Sequence, residues 1–404
     1  MIKNVNIINY WHTQYGGIIT AYALQEIVKE LGYNCKLINN MLNWESQVQK
    51  KSFNKIFEEK YLSVTPRITP EYNLENLNEN ANIFITGSDQ VFRTKYITHL
   101  ISQYLLTFTS PDKKRIAFSA SFGVGKEQFL KETSEKDMEI MKEALQSFDY
   151  VSVREKSGVE MCQNLFDVNA EWIIDPVFIL NRQKYENLAL KSNKDYKNKI
   201  VSYVLRPNKE YKKAYNYLEK KYNTKVEPIA YTNIIVEDWL NAIKNSNLLL
   251  TDSFHGVCFA ILFNKPFICI SQDINGKARL DSIFEMLGIE NQSIISPAEV
   301  CTKDCIFNIN YNYVNQKIEE EAKKGIDILK KVLESPVSHI KEKEKLRITY
   351  FKNKISELEK QNNILYQIKK YFMTKFLVIY FAYLPRYIKN LISFIRQILK
   401  GEYK

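Results

Sequence analysis

The chain has 404 residues, 57 Lys/Arg against 46 Asp/Glu, a formal net charge of +11, and 45% hydrophobic residues. That length is too great for one core and sets two domains as the expectation, in a composition that is otherwise globular. Fifteen Lys/Arg and five Asp/Glu fall in residues 341–404, leaving 42 basic and 41 acidic groups elsewhere; the basicity belongs to the tail, and its interleaving with long aliphatic runs excludes a folded nucleic-acid-binding patch.

Residues 1–10 form a short strand-like run without the basic and apolar regions of a secretory signal. The strand is Val5–Asn9. Gly16-Gly17 then precedes a helix over Ala21–Leu31, with Leu24, Ile27, Val28 and Leu31 on one face and Gly32 as its stop. Lys36–Ile38 completes a βαβ unit. The glycine pair at the helix N-terminus reads either as an anion or sugar contact or as a plain tight turn. Buried strands are next expected at Asn82–Thr86, Arg115–Ser119, Tyr150–Val153 and Trp172–Ile174. They end in Gly87-Ser88-Asp89-Gln90, Ser119–Gly123, Arg154 followed by a helix near Ser157, and Asp175-Pro176.

The polar stretch Asn181–Asn198 reads as a crossover. Beyond it, Ile200–Leu205 ends at Arg206-Pro207, and the helix Glu210–Tyr222, strand Lys225–Ala230 and helix Val236–Lys244 follow. The strand at Leu248 stops at Thr251-Asp252-Ser253, and His255 and Gly256 open a new apolar segment. Phe267–Ile270 and the helix Ala278–Leu287 close the series. Parallel α/β sheets bind ligands just beyond strand carboxyl ends, where these polar groups fall. The plainer alternative is that Asp252 or Ser253 caps a helix and His255 is a surface residue. Two such series predict an α/β fold of two Rossmann-like domains facing a cleft, GT-B-like, over residues 1–180 and 199–335.

Residues 340–404 are expected to be a basic helical tail. Ile348, Phe351, Ile355, Leu358, Asn362 and Leu365 are spaced as a short coiled-coil seam whose Asn fixes register, which gives a homodimer; the alternative is one amphipathic helix packed on the body. Tyr371–Leu384 is apolar but too short for a clear membrane span. After Pro385, Ile388, Leu391, Ile392, Ile395 and Leu399 share a face flanked by Lys389, Arg396 and Lys400, which reads as a helix on an anionic membrane surface or as a docking helix. Six cysteines at irregular spacing argue for a reducing cytoplasm. Cys301 and Cys305 lack the second pair a metal site needs.

Taken in order, Tyr15-Gly16-Gly17, Ala21–Gln25, Gly87–Val91, Ala117–Gly123, Ser152–Ser157, Ile174–Pro176 and Thr251–Gly256 resemble the polysaccharide pyruvyl transferase family. The tail lies outside that resemblance. It implies a GT-B-like fold and transfer of the enolpyruvyl group of phosphoenolpyruvate to a sugar, forming a pyruvate ketal and releasing phosphate, with no cofactor and no metal. The acceptor would be a glycan or lipid-linked oligosaccharide of surface-polysaccharide assembly, met by a cytoplasmic protein lying on the inner face of the cell membrane. Two departures stand out. Many members have Trp where this chain has Phe92, and some have Arg where it has Ser253, which leaves Arg206 or Arg279 to substitute.

The donor is a small dianion-rich molecule, and bidentate recognition favours Arg. The expected donor-binding residues are Arg154, Arg206, Ser253, Gly256 and Arg279, with Arg154 and Arg206 as a clamp from the two domains. His255 is expected to assist the departing phosphate or hold it. Asp89 is chosen as base or acceptor ligand, beside Ser88 and Gln90, with Gly16 and Gly17 on the acceptor side. Asp252 is expected to cap or orient His255, and Asp175 to hold the domain junction. Two other functions fit the same architecture: a nucleotide-sugar glycosyltransferase, and a degenerate membrane-associated scaffold.

Overall fold

Short apolar runs without a polar face can only be buried on both sides, and they assemble here into two parallel sheets. The computed structural model describes residues 3–12, 14–40, 52–69, 73–97, 100–232, 234–270, 277–290, 295–302 and 309–375, with side chains to residue 360. The first sheet holds β1 (Asn4–Ile8), β2 (Asn34–Leu37), β3 (Ile83–Thr86), β4 (Lys114–Ala120), β5 (Tyr150–Val153) and β6 (Glu171–Trp172), in the order β2-β1-β3-β4-β5-β6. The second holds β7 (Ile200–Tyr203), β8 (Val226–Pro228), β9 (Leu248–Thr251) and β10 (Phe267–Cys269), in the order β10-β9-β7-β8. Every pairing is parallel. Strand order reverses between β1 and β3 in one sheet and between β7 and β9 in the other. A doubly wound sheet opens a crevice beyond its strands at such a reversal. Two doubly wound sheets in one chain make the fold GT-B-like, as expected.

Alternate residues of each strand go to different cores. Val5, Ile7, Ile83, Ile85, Ile116 and Phe118 share one large cluster with Val201, Tyr203, Leu249 and Phe267 of the second sheet. Ile8, Phe84, Ala117 and Val151 face a separate core on the outer side of the first sheet, and Ile200, Leu248, Leu250 and Ile268 one on the outer side of the second. Tyr15 stitches the halves together. It stacks on Trp239 at 5.7 Å, and its hydroxyl donates to the Ile234 carbonyl at 2.8 Å.

Three sequence expectations change. The first helix runs Tyr15–Glu30, so Gly16 and Gly17 lie within its first turn rather than before it. The crossover contains a helix, Arg182–Ala189, capped by Asn181 and burying Tyr185, Leu188 and Ala189. The last helix spans Ile340–Lys375, yet residues through Tyr350 belong to the same compact unit as the sheets, and Phe351–Lys404 form another. The reason is a buried anchor. Lys343 Nζ lies 2.6 Å from Asp149, both side chains fully buried, and Leu346 is buried beside them. Asp149 also accepts from the Arg115 N–H and the Ser338 hydroxyl. Lys114 Nζ donates to the Val332 and Leu333 carbonyls, closing the C-terminus of the helix Tyr311–Glu334.

Ile348 is 57% exposed, and Phe351, Ile355 and Leu358 are half-buried. The side chains of Asn362 and Leu365, the rest of the apolar stretch and the face after Pro385 lie outside the described residues, as does Cys305. Among the described residues no helix is long and apolar enough to cross a membrane.

Candidate functional site

The carboxyl ends of both sheets converge on one cluster of polar side chains, each delivered by a separate element. Arg154 follows β5, Ser88 and Asp89 follow β3, Asp175 follows β6, His255 follows β9, and Thr20 comes from the helix after β1.

Arg154 is the hub, with its side chain 1% exposed. One terminal nitrogen donates to Asp175 Oδ2 at 2.6 Å and to Ser88 Oγ at 3.3 Å. The other donates to Asp89 Oδ1 at 3.0 Å. Its guanidinium carbon sits 4.4 Å from the centre of the Phe254 ring, a cation–π contact. Burial works against its charge, but the carboxylates of Asp175 and Asp89 outweigh that and raise its pKa. The structure therefore places Arg154 inside an ion-pair network rather than at the free end of a clamp.

Asp175 accepts from the Ser88 hydroxyl at 2.8 Å and caps the short helix Pro176–Ile179 through the Val177 N–H. Asp89 has a left-handed backbone, φ 83°, which non-glycine residues adopt at a cost and mostly near functional sites. Burial alone would raise its pKa. The charge of Arg154, then those of His255 and Arg279 and the Gln90 N–H, bring it below the ordinary carboxylate value, so Asp89 is an ionised acceptor.

His255 lies in the first turn of the helix Phe254–Leu262, 6% exposed. Its Nε2 is 2.8 Å from Thr20 Oγ1 and 3.9 Å from Asp175 Oδ2. Desolvation lowers its pKa to about 4 against the opposing pull of Asp175 and Asp89, so the imidazole is neutral at neutral pH. Gly16 is what lets the ring sit there: a Cβ at that position would lie 2.2 Å from His255 Nδ1. A Cβ on Gly17 would strike the Tyr10 carbonyl at 2.2 Å, and one on Gly256 would lie 2.4 Å from Thr251 Oγ1. All three glycines thus serve close packing of chain on chain.

Ser253 caps the His255 helix by accepting from the Gly256 N–H. Asp252 does not orient His255. Its carboxylate accepts the Leu205 and Arg206 N–H groups at 2.6 and 2.9 Å, tying the ends of β7 and β9 together at the reversal of the second sheet. Arg206 is exposed at the end of β7. The Gln90 side chain accepts from Arg93 at 3.0 Å and packs over Gly123, whose φ is 74°.

Arg279 lies near Arg154, Asp89 and Glu155 but, unlike Arg154, is not locked into their ion pairs. Its guanidinium carbon is 5.6 Å from the Phe254 ring centre, and among the described residues it has no hydrogen bond or ion pair. Burial, then the nearby charge of Arg154, depress its pKa to about 10. Two site residues escape a reading of the sequence. Thr20 sits in an apolar helix and meets His255 only across 235 positions of chain. Glu155 is fully buried; Oε1 accepts from the Phe122 and Gly123 N–H groups and Ser121 Oγ, holding the loop after β4, while Oε2 has no partner. Desolvation raises its pKa. Its signal was the adjacency of two motifs, Ser121-Phe122-Gly123 and Arg154-Glu155. Among the described residues no group of three or more His, Cys, Asp or Glu is arranged to hold a metal ion.

The family model described as polysaccharide pyruvyl transferase matches residues 15–274. No curated protein matches the chain. Solved structures similar to it include a UDP-GlcNAc 2-epimerase from Neisseria meningitidis, 12% identical over 82% of this chain and 99% of that one, with a TM-score of 0.49. A UDP-N-acetylglucosamine 2-epimerase from Rickettsia bellii is 12% identical over 81% and 98%, with a TM-score of 0.45. The spinosyn forosaminyltransferase is 8% identical over 83% and 100%, with a TM-score of 0.44.

Proposed function

Since the chain belongs to the polysaccharide pyruvyl transferase family, we propose that it moves the enolpyruvyl group of phosphoenolpyruvate onto a sugar of a surface polysaccharide or its lipid-linked precursor. A pyruvate ketal closes over two hydroxyls and phosphate leaves. The proton count balances: the two hydroxyls lose one proton each, the methylene carbon gains one, and one departs with phosphate.

The observation that carries this reading is Arg279. A desolvated guanidinium that the Asp89 and Glu155 carboxylates influence only through space, with no direct ion pair among the described residues, is costly unless an anion completes it. It shares the Phe254 ring with Arg154, and the neutral His255 is in the same cluster. Phosphoenolpyruvate offers both a phosphate and a carboxylate to such a place, and a guanidinium takes either in bidentate fashion. Arg279 then supplies the charge that Ser253 does not.

Phosphate release from phosphoenolpyruvate is expected only when a suitable galactoside, mannoside or N-acetylhexosaminide is present. Phosphoenolpyruvate is expected to raise the melting temperature of the wild type and not of Arg279→Met. Stabilisation by UDP in its place, with no acceptor-dependent phosphate release, overturns the reading in favour of glycosyl transfer.

The basic tail is proposed to hold the protein on the cytoplasmic face of an anionic membrane, where a lipid-linked acceptor diffuses in two dimensions. Deleting residues 371–404 is expected to abolish sedimentation with phosphatidylserine-containing vesicles. Unchanged sedimentation rejects the anchor.

A further inference from the structure

Thr20 makes two contacts with one hydroxyl. Its Oγ1 is 2.8 Å from the Gly16 carbonyl oxygen and 2.8 Å from His255 Nε2. A carbonyl can only accept, so the single hydroxyl proton goes to Gly16, the usual back-bond of a helical threonine. The contact with His255 is then a hydrogen bond only if the imidazole donates. We propose that Thr20 is a positioning residue that holds the His255 proton on Nε2 and leaves the Nδ1 lone pair as the proton acceptor of the site.

The surroundings agree. His255 makes no other hydrogen bond among the described residues. Asp175 Oδ2, 3.9 Å from Nε2, favours a proton on that same nitrogen. The missing side chain of Gly16 lets the ring pack against that turn and keep the orientation in which Nε2 meets Thr20. Thr20 is itself fully buried and cannot turn to water for an alternative partner. A threonine hydroxyl has no charge, so it sets the tautomer without raising the basicity of the ring as a carboxylate in that position would. On the pyruvyl-transfer reading, Nδ1 takes the proton of an attacking sugar hydroxyl. The O–H bond breaks, an N–H bond forms, and the oxygen's electron pair makes the bond to the central carbon of the enolpyruvyl group as the methylene carbon takes a proton from solvent. The carbon–oxygen bond to phosphate then breaks, the imidazolium gives its proton to that departing oxygen, and the second sugar hydroxyl bonds to the same carbon and returns one proton to solvent. His255 thereby acts first as acceptor and only afterwards as donor.

Four histidines in the whole chain make the test direct. In the full-length protein labelled with 15N-histidine, long-range proton–nitrogen correlations at pH 7.5 distinguish the two tautomers, and His255→Gln identifies the resonances of His255. The expected result is the Nε2–H pattern in the wild type and in Thr20→Ser, and its loss in a folded Thr20→Val. In the phosphate-release assay Thr20→Val is expected to lose about 10- to 100-fold in kcat with little change in KM, and Thr20→Ser to restore it. An Nδ1–H pattern in the wild type overturns the proposal, as does Thr20→Val that keeps the wild-type pattern and kcat. The tautomer is read without turnover, so it decides the proposal even where pyruvyl transfer itself is disproved.

Discussion

Replacing Arg154 by Leu is expected to destabilise the protein by about 3–5 kcal/mol, the cost of stranding buried carboxylates. Asp175 is fully buried and loses its 2.6 Å partner, while Asp89 loses its 3.0 Å partner. Asp175 cannot turn to water without moving β6, whereas Asp89, its side chain 15% exposed, recovers part of its solvation. Deleting both sides of the closer pair, Arg154→Leu with Asp175→Leu, should recover part of the loss, because an apolar pair of similar volume is tolerated where a lone charge is not. Chemical denaturation of the three proteins checks this. A single variant as stable as the wild type would mean that the ion pairs contribute nothing net. In the Arg154→Leu protein the Asp89 carboxyl should also titrate higher, since the largest influence opposing its burial is Arg154. The energetic role is separable from substrate binding: denaturation reports it with no ligand present.

The strands were legible because burial on both faces leaves an unmistakable mark, an unbroken apolar run such as Ile83–Thr86 or Leu248–Thr251. Their polar ends were legible for the same reason, since chemistry begins where the run stops. Pairings across the fold were not. Arg154 could be placed at the end of β5, but nothing local says that Asp175 and Asp89 already occupy it. Asp252 sits three residues before His255 and was read as its partner, yet a carboxylate at the end of β9 is nearer to the exposed N–H groups ending β7. The helix Arg182–Ala189 was hidden by charge: Tyr185, Leu188 and Ala189 are its only buried residues within a polar stretch. Thr20 was hidden by apolarity. A hydroxyl among isoleucines and alanines reads as core until the histidine beside it is seen.

His255→Gln is expected to act on both activity and acid stability. The Gln amide can still donate to Thr20, so the neighbouring hydrogen bond is retained while the basic lone pair is lost. Loss of a general base typically lowers kcat by about 10²–10⁴-fold. The stability effect follows from the sign of the pKa shift. Burial holds folded His255 at about 4, below the 6.5 of an unfolded histidine, and His12, buried against Asn40, is also at about 4. Between pH 6.5 and 4 the unfolded chain therefore binds more protons. The stability from keeping each ring neutral is full above pH 6.5 and drains away as pH falls through that window. At about 1.4 kcal/mol per pH unit, each histidine accounts for roughly 3 kcal/mol. His255→Gln should remove about half of that acid lability, leaving the share of His12. The charges facing His255 work in opposite directions: Asp175 and Asp89 raise its pKa, Arg154 and Arg279 lower it. A bound trianionic donor adds to the first pair, so phosphoenolpyruvate should shift the acid limb of kcat upward relative to that of kcat/KM. Melting temperature against pH for the wild type and His255→Gln checks the stability half, and coincident curves would show that His255 carries no proton deficit in the folded state.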